Sequence, residues 1–381
     1  MDLLHPLLYY TFIGVTACNL IYYLFFSKFV FSRASREKEG DVSIKKKKRS
    51  ASRPVSIVVC SKNEAENLRN NVPIWLAQKH DNFQLVLIND ASRDDTKDII
   101  EEFAALDKRV TVVNVENNET FWGSKKYALT LGIKRAEHNI LIFTDADCIP
   151  NSPYWIQQMT DSFVDEKELV LGYGAYKKIK GSFLNSLIRY ETVFTALQYF
   201  GYAKWGNAYM GVGRNLAYTS ELFYEQKGFI THIDVQSGDD DLFVNTAATS
   251  QNTTLCTDSD AFTISEPKKS FGEWITQKRR HIHVSKYYKR KHRFLLGLFY
   301  LSQILFITLA ILLLTVQYQW VFVTSIIGGR YLINWIIVAR LAFKLEEKDV
   351  AFLYPFFELF LIIFQLGIFM SNLVAKPRRW K

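Results

Sequence analysis

The alternation of apolar and polar positions divides the chain into three regions. From about Leu7 to Phe26 the sequence is apolar over the length a helix needs to cross a bilayer. From Arg53 to about Pro267 short aliphatic or β-branched runs alternate with amphipathic stretches. Val55–Cys60, Gln84–Asn89, Val110–Val115 and Asn139–Thr144 read as strands, and Glu64–Asn71, Asp94–Leu106 and Ser124–Ala136 as helices. Strands separated by helices imply βαβ crossovers, so the expected fold class is α/β, a mostly parallel sheet with helices on both faces. Three further apolar runs follow, Phe294–Val316, Trp320–Arg340 and Val350–Val374, each about long enough to span. The expected domains are an N-terminal membrane anchor (1–31), a basic linker (32–53), a globular domain (54–267), a basic interfacial segment (268–293) and a C-terminal membrane region (294–381).

Charge placement orients these regions. The first apolar run is followed by Lys28, Arg33, Arg36, Lys38 and the run Lys45-Lys46-Lys47-Lys48-Arg49. The positive charge lies after the apolar block and no small-residue cleavage site follows it, which argues against a signal peptide. The positive-inside rule then puts the following domain in the cytoplasm. Three C-terminal spans would leave Lys376-Pro377-Arg378-Arg379-Trp380-Lys381 outside, against that rule, so one segment is expected to be re-entrant or interfacial. Arg330, beside Gly328 and Gly329, makes the middle segment the suspect. The formal charge of +9 is concentrated beside the apolar segments, which points to a lipid bilayer as partner and away from nucleic acid. Cys18, Cys60, Cys148 and Cys256 form no Cys-x-x-Cys pair and read as reduced thiols.

In open α/β sheets, ligands bind beyond the carboxyl ends of the strands, so the polar residues there are the candidates for chemistry. Phe143-Thr144-Asp145-Ala146-Asp147-Cys148 places two carboxylates at one strand exit, where a shared site is costly without a cation. Hard oxygen ligands suit Mg2+ or Mn2+ together with substrate phosphates; a turn with solvated acids is the alternative. Ser61-Lys62-Asn63-Glu64 follows the first strand and Asn89-Asp90-Ala91-Ser92-Arg93-Asp94-Asp95-Thr96 the second. Asp94 or Asp95 is expected to cap the next helix, and Asp90 to meet a ligand. Trp122 has two equal readings, facing a donor or packing its loop. His5, His80, His138 and His232 have no ligand-like partners in sequence and read as structural or exposed.

The order of first-strand Asn-Glu, second-strand Asp, Lys before Ala-Leu, and Asp-x-Asp resembles the family 2 inverting glycosyltransferases, more narrowly the membrane-embedded branch with hyaluronan, chitin and cellulose synthases. The similarity runs from about Pro54 to His283. It implies a GT-A-like domain with one N-terminal and about three C-terminal transmembrane helices. It also implies a nucleotide diphospho-sugar donor, with UDP favoured over GDP, and a lipid-linked or growing glycan acceptor. Glu64 and Asp90 would lie around the base and ribose, and Lys125, in Gly123-Ser124-Lys125-Lys126-Tyr127-Ala128-Leu129, on the phosphate side. Asp145 and Asp147 would be the Asp-x-Asp pair, with Asp147 the preferred metal ligand. Gly213-Arg214-Asn215-Leu216-Ala217-Tyr218 resembles the acceptor-side segment, and Arg214 is carried with it as a donor-site residue. In Ser237-Gly238-Asp239-Asp240-Asp241-Leu242 the resemblance sets the general base at Asp240, or at Asp239 with a gapped alignment. Gln277 and Arg280 match the processive synthases' Gln-x-x-Arg-Trp, where arginine meets the diphosphate. His281 replaces the tryptophan, removing a sugar-stacking face, which favours single transfer over processive synthesis with translocation. Acids at every expected position weigh against a non-catalytic nucleotide-sugar binder.

Overall fold

The computed structural model describes residues 3–32, 53–116, 125–235 and 237–374. The basic linker residues 33–52, Trp122 and the tail from 375 lie outside the described residues. The described chain forms two units. One, α/β in character, takes residues up to Lys180 after Ser32 and from Tyr202 to Lys269; the other takes residues up to Ser32, Gly181–Gly201 and the chain from Ser270.

In chain order, α1 (Leu4–Val30) belongs to the second of these, the apolar unit. The α/β unit starts with β1 (Val55–Ser61), α2 (Ala65–Leu76), β2 (Phe83–Asp90), α3 (Thr96–Leu106) and β3 (Val110–Val115). It continues with α4 (Lys125–Arg135), β4 (Ile140–Asp145), β5 (Cys148–Pro150), α5 (Trp155–Asp161), β6 (Leu169–Leu171) and β7 (Gly174–Tyr176). Most of α6 (Phe183–Lys204) belongs to the apolar unit. The α/β unit resumes with β8 (Leu216–Thr219), α7 (Ser220–Glu225), α8 (Asp241–Ala247), β9 (Thr253–Leu255) and β10 (Thr263–Ser265). The apolar unit closes with α9 (Phe271–Val284), α10 (Arg290–Thr315), α11 (Trp320–Lys344), α12 (Lys348–Ala351) and α13 (Tyr354–Val374).

Seven strands form one sheet in the order β3-β2-β1-β4-β8-β6-β9. The four strands expected from sequence are parallel neighbours, and β8 joins β4 antiparallel. All eight residues of β2 are buried, as a central strand covered on both faces requires. The register sets Cys60 opposite both Ile88 and Asp145, so the tips of β1, β2 and β4 are level. The chain winds from β1 to β2 and β3 on one side and places β4 on the other, which makes the β1–β4 boundary the topological switch point. A three-stranded sheet, β5-β10-β7, follows Asp147 and was not legible in sequence.

In the apolar unit, α1, α10, α11 and α13 are long and apolar enough to cross a membrane. Charges inside such a bundle are costly unless paired. Arg330 on α11 is buried and donates to both Glu358 carboxylate oxygens on α13, at 2.6 and 2.7 Å, and to Asn19 Oδ1 on α1 at 3.0 Å. Tyr23 donates to Glu358 Oε1 at 3.0 Å, and Asn19 Nδ2 to Ser302 Oγ on α10 at 3.1 Å. One polar network thus touches all four helices. The charge that made the middle segment suspect is neutralised, and α11 runs unbroken for 25 residues. α6, unforeseen in sequence, carries Arg189, whose guanidinium meets Glu347 and Asp349 between α11 and α13, and Glu191, which pairs with Lys278 on α9.

Removing one member of the intramembrane pair leaves a buried charge uncompensated, at a cost of about 3–5 kcal/mol. Arg330→Met is therefore expected to lower the thermal midpoint of the detergent-solubilised protein, and Arg330→Met with Glu358→Leu to recover most of the loss. An unchanged midpoint in the single variant would contradict this account.

Candidate active site

The tips of β1, β2 and β4 and the start of α8 bring the expected acids of the α/β unit within electrostatic reach of one another, and Asp145, Asp239 and Asp240 line one pocket. At the first two tips the loops are laced together. Asn63 N–H donates to Ser92 Oγ at 3.0 Å, and Asn63 Oδ1 accepts from Arg93 N–H at 2.8 Å. Asp94 accepts from Ala65 N–H and Thr96 N–H, so it ties the start of α2 as well as α3, while Asp95 holds the cap position without a side-chain bond. Asp90 is buried, with Lys62 Nζ at 3.7 Å. The Glu64 carboxyl is pushed upward by burial, against the Asn67 amide bond, with Asp147 and Asp145 adding to the rise. Glu64 thus feels the charges of Asp145 and Asp147, and Asp90 acts with Asp145 on Cys60.

Lys125, the first residue of α4, is the hub. Its ammonium lies 2.8 Å from Asp145 Oδ1 and 3.2 Å from Asp239 Oδ2. Burial pulls its pKa down, but Asp145 and Asp239 outweigh that and hold it well above the ordinary lysine range. The ammonium therefore stays charged and bridges the β4 tip to the start of α8, which lie about a hundred residues apart in sequence. The pocket at this point is lined by Cys60, Lys125, Thr144, Asp145, Gly213, Tyr218, Asp239 and Asp240 among others. Cys60 gave no sequence signal for this place, and Tyr218 entered only as the end of the segment likened to the acceptor side. Burial pushes the Cys60 thiol up, so it floors the cleft as a neutral group.

Ligand atoms of Asp145, Asp147 and Cys148 lie within 4.8 Å of one another. Burial and then the Asp145 charge raise Asp147. Cys148 is raised well above its ordinary value, by burial first and Asp147 next, so its thiol stays protonated. Two carboxylates remain, the donor set that suits a hard divalent ion completed by phosphate oxygens. The residues fit Mg2+ or Mn2+.

The three acids at α8 have separate surroundings. Asp240 accepts from Gly213 N–H at 2.7 Å and from Asp241 N–H at 2.7 Å, so both its oxygens hold backbone. A Cβ at position 213 would lie 3.0 Å from Asp240 Oδ2, so glycine there admits the carboxylate. Burial, and then Asp239, push Asp240 up to about 6. Asp241 is buried on α8, and Asp239 is the acid that faces Lys125. Between Ser237 and Asp239, Gly238 takes φ +86°, a left-handed turn that delivers the acids.

Arg214 lies where its charge acts on Asp147 and Asp145, and its guanidinium is also tied into the frame of the fold. Its Nη1 donates to Ala175 O at 2.9 Å and Ser265 Oγ at 2.6 Å, its Nη2 to Gly174 O at 2.8 Å, and its guanidinium stacks 4.1 Å above the Tyr176 ring. It stitches β7 and β10 to the strand that begins at Leu216, beneath the Asp-x-Asp turn. Gln277 and Arg280 lie on α9 of the apolar unit and are not among the residues the α/β unit gathers.

This architecture agrees with the comparisons. Residues 56–225 match the family described as Glycosyl transferase family 2. The solved mannosyltransferase of Pyrobaculum calidifontis, in complex with GDP-Man and Mn2+, superposes with a TM-score of 0.56 over 90% of this chain and 97% of its own at 17% identity, a likeness of fold. The poly-beta-1,6-N-acetyl-D-glucosamine synthase of Staphylococcus aureus is 26% identical over 39% of this chain and 32% of its own length. The 4,4'-diaponeurosporenoate glycosyltransferase of Staphylococcus haemolyticus is 28% identical over 32% of each. The chain spans about a third of the length of the curated relatives it matches.

Because the Arg214 fork serves several acceptors at once, lysine cannot replace it. Arg214→Lys is expected to destabilise the protein by about 2 kcal/mol, the loss of charge-assisted bonds to buried carbonyls. Thermal unfolding reads this, and a midpoint equal to wild type would return Arg214 to a ligand-binding role.

Proposed function

We propose that the protein is an inverting glycosyltransferase that moves a sugar from a nucleotide diphospho-sugar to a lipid-linked or growing glycan acceptor at the cytoplasmic face of the cell membrane. The observation that carries this reading is the Lys125 ammonium, which holds a donor-side acid, Asp145, and an acceptor-side acid, Asp239, in one cleft.

In this reading Glu64 and Asp90 receive the nucleoside, and Lys125 turns to the diphosphate as it enters. Asp239 accepts the proton of the acceptor hydroxyl while that oxygen bonds to the anomeric carbon from the face opposite the nucleotide. The bond from that carbon to the diphosphate oxygen breaks, its electron pair leaves with the nucleoside diphosphate, and configuration inverts. Mg2+ or Mn2+, when held by Asp145 and Asp147, supplies positive charge against the leaving diphosphate. Asp240, with both oxygens on backbone N–H groups, anchors the acid segment, so the base role passes from Asp240 to Asp239. The resemblance alone assigns Gln277 and Arg280 to the diphosphate, and it favours UDP as the nucleotide. The basic residues beside the apolar helices support a cytoplasmic active site.

Membranes bearing the full chain, given labelled UDP- and GDP-sugars with Mg2+ or Mn2+, are expected to transfer label to a lipid-sized or polymeric product. A chelator is expected to abolish it. Asp239→Asn is expected to keep donor binding and lose turnover by about a thousandfold or more, the span general-base removal shows when the base acts in concert with its site. Full activity in Asp239→Asn with an inactive Asp240→Asn would return the base to Asp240; no transfer from any donor would remove the reading.

A further inference from the structure

The residue after the hub lysine performs a different task. Successive side chains on a helix diverge by about 100°, so while Lys125 faces Asp145 and Asp239, Lys126 points elsewhere. It is 2% exposed, and its ammonium donates to three backbone carbonyls, His232 O at 2.7 Å, Val235 O at 2.5 Å and Ser237 O at 3.0 Å. An ammonium has three N–H groups, and all three are used. Its acceptors belong to the segment that leads directly into Gly238 and Asp239. Among its described residues the segment holds no strand and only a one-turn 3-10 helix at Ile230–His232, so little of its own backbone bonding fixes it. Lys125 holds the side chain of Asp239, and Lys126 holds the backbone on which Asp239 is mounted.

We propose that Lys126 is a positioning residue for transfer, resting on the reading of Asp239 as the base: its ammonium, through three carbonyls, fixes the segment that presents Asp239 to the acceptor. The charged and titratable groups that face it are Asp239, Asp240 and Asp234, which favour its charged form, and His232, whose imidazole is lowered to about 4 by burial and then by Lys126 and is neutral. Burial outweighs the three acids and lowers Lys126 to about 8. Above that pH the neutral amine retains two N–H donors for three carbonyls, and the grip loosens.

The experiment compares the full chain in detergent with Lys126→Met and the milder Lys126→Gln. Amide hydrogen exchange over residues 230–240 reads the segment without reference to turnover. It is expected to quicken at least tenfold in Lys126→Met, and in wild type to quicken as pH passes about 8 beyond the general rise seen elsewhere. Transfer, once a donor is identified, is expected to fall about 10- to 100-fold in kcat with the donor KM within about twofold, and the alkaline limb near pH 8 is expected to vanish in both variants. Unchanged exchange in both variants overturns the proposal whatever the enzyme does. Quickened exchange with wild-type kcat, or reduced kcat with the alkaline limb intact, also overturns it. Loss of exchange protection in a chain that consumes no nucleotide sugar would instead sink the transferase reading.

Discussion

Like charges gathered in a partly dry cleft are the constraint on which this site turns. Asp145 and Asp147 arrive from the tip of β4, Asp239 and Asp240 from the start of α8; Asp145 adds to the cost of ionising Asp147, and Asp239 to that of Asp240. The Lys125 ammonium lies between the two groups and binds one carboxylate from each. The remaining negative charge is of the kind a divalent cation is suited to balance.

Holding acids at close quarters demands a stiff frame, and the frame is polar. Asn215 is wholly buried and bonds Trp155 Nε1, Tyr173 O and Ala261 O, tying the approach to β8 to three separate segments. Arg214 next to it holds β7 and β10, and Asp240 holds the backbone at Gly213. Residues 213–215 thus serve as a junction where side chains satisfy backbone groups that no strand pairs. In such places a buried carbonyl or N–H left alone costs more than a bond gains, which is why the junction consists of asparagine, arginine and aspartate and not aliphatic residues.

The apolar unit follows the same rule in a different solvent. Between helices surrounded by hydrocarbon, apolar contact gives no preference for one arrangement over another, so paired polar groups supply it. The Arg330–Glu358 pair with Asn19, Tyr23 and Ser302 specifies how α1, α10, α11 and α13 meet. Arg189 with Glu347 and Asp349 sets α6 against the turn between α11 and α13.

The strands β1 to β4, the helices between them and the apolar helices were legible because their signals are local and periodic: continuous aliphatic runs for covered strands, apolar runs of bilayer length for the spans. Glu64, Asp90 and Asp145 were legible as candidates because a parallel sheet sends the residues after each strand to one edge, whereas Asp240 and Asp239 took their role from the family resemblance. The sequence could not separate Asp239 from Asp240, since neighbouring acids differ only in what each oxygen meets, and that depends on Gly213 and Lys125 far away in the chain. It could not show that Arg214 also binds the carbonyls of Gly174 and Ala175, because an arginine reads the same whether its acceptors are phosphate or carbonyl. It passed over Lys126, Cys60 and α6, whose meaning lies wholly in contacts with distant segments. The chain by itself determined which residues reach the edge of the sheet; the tertiary structure decided which of them face one another, because charge and hydrogen bonding act over a few ångströms of space and not along the sequence.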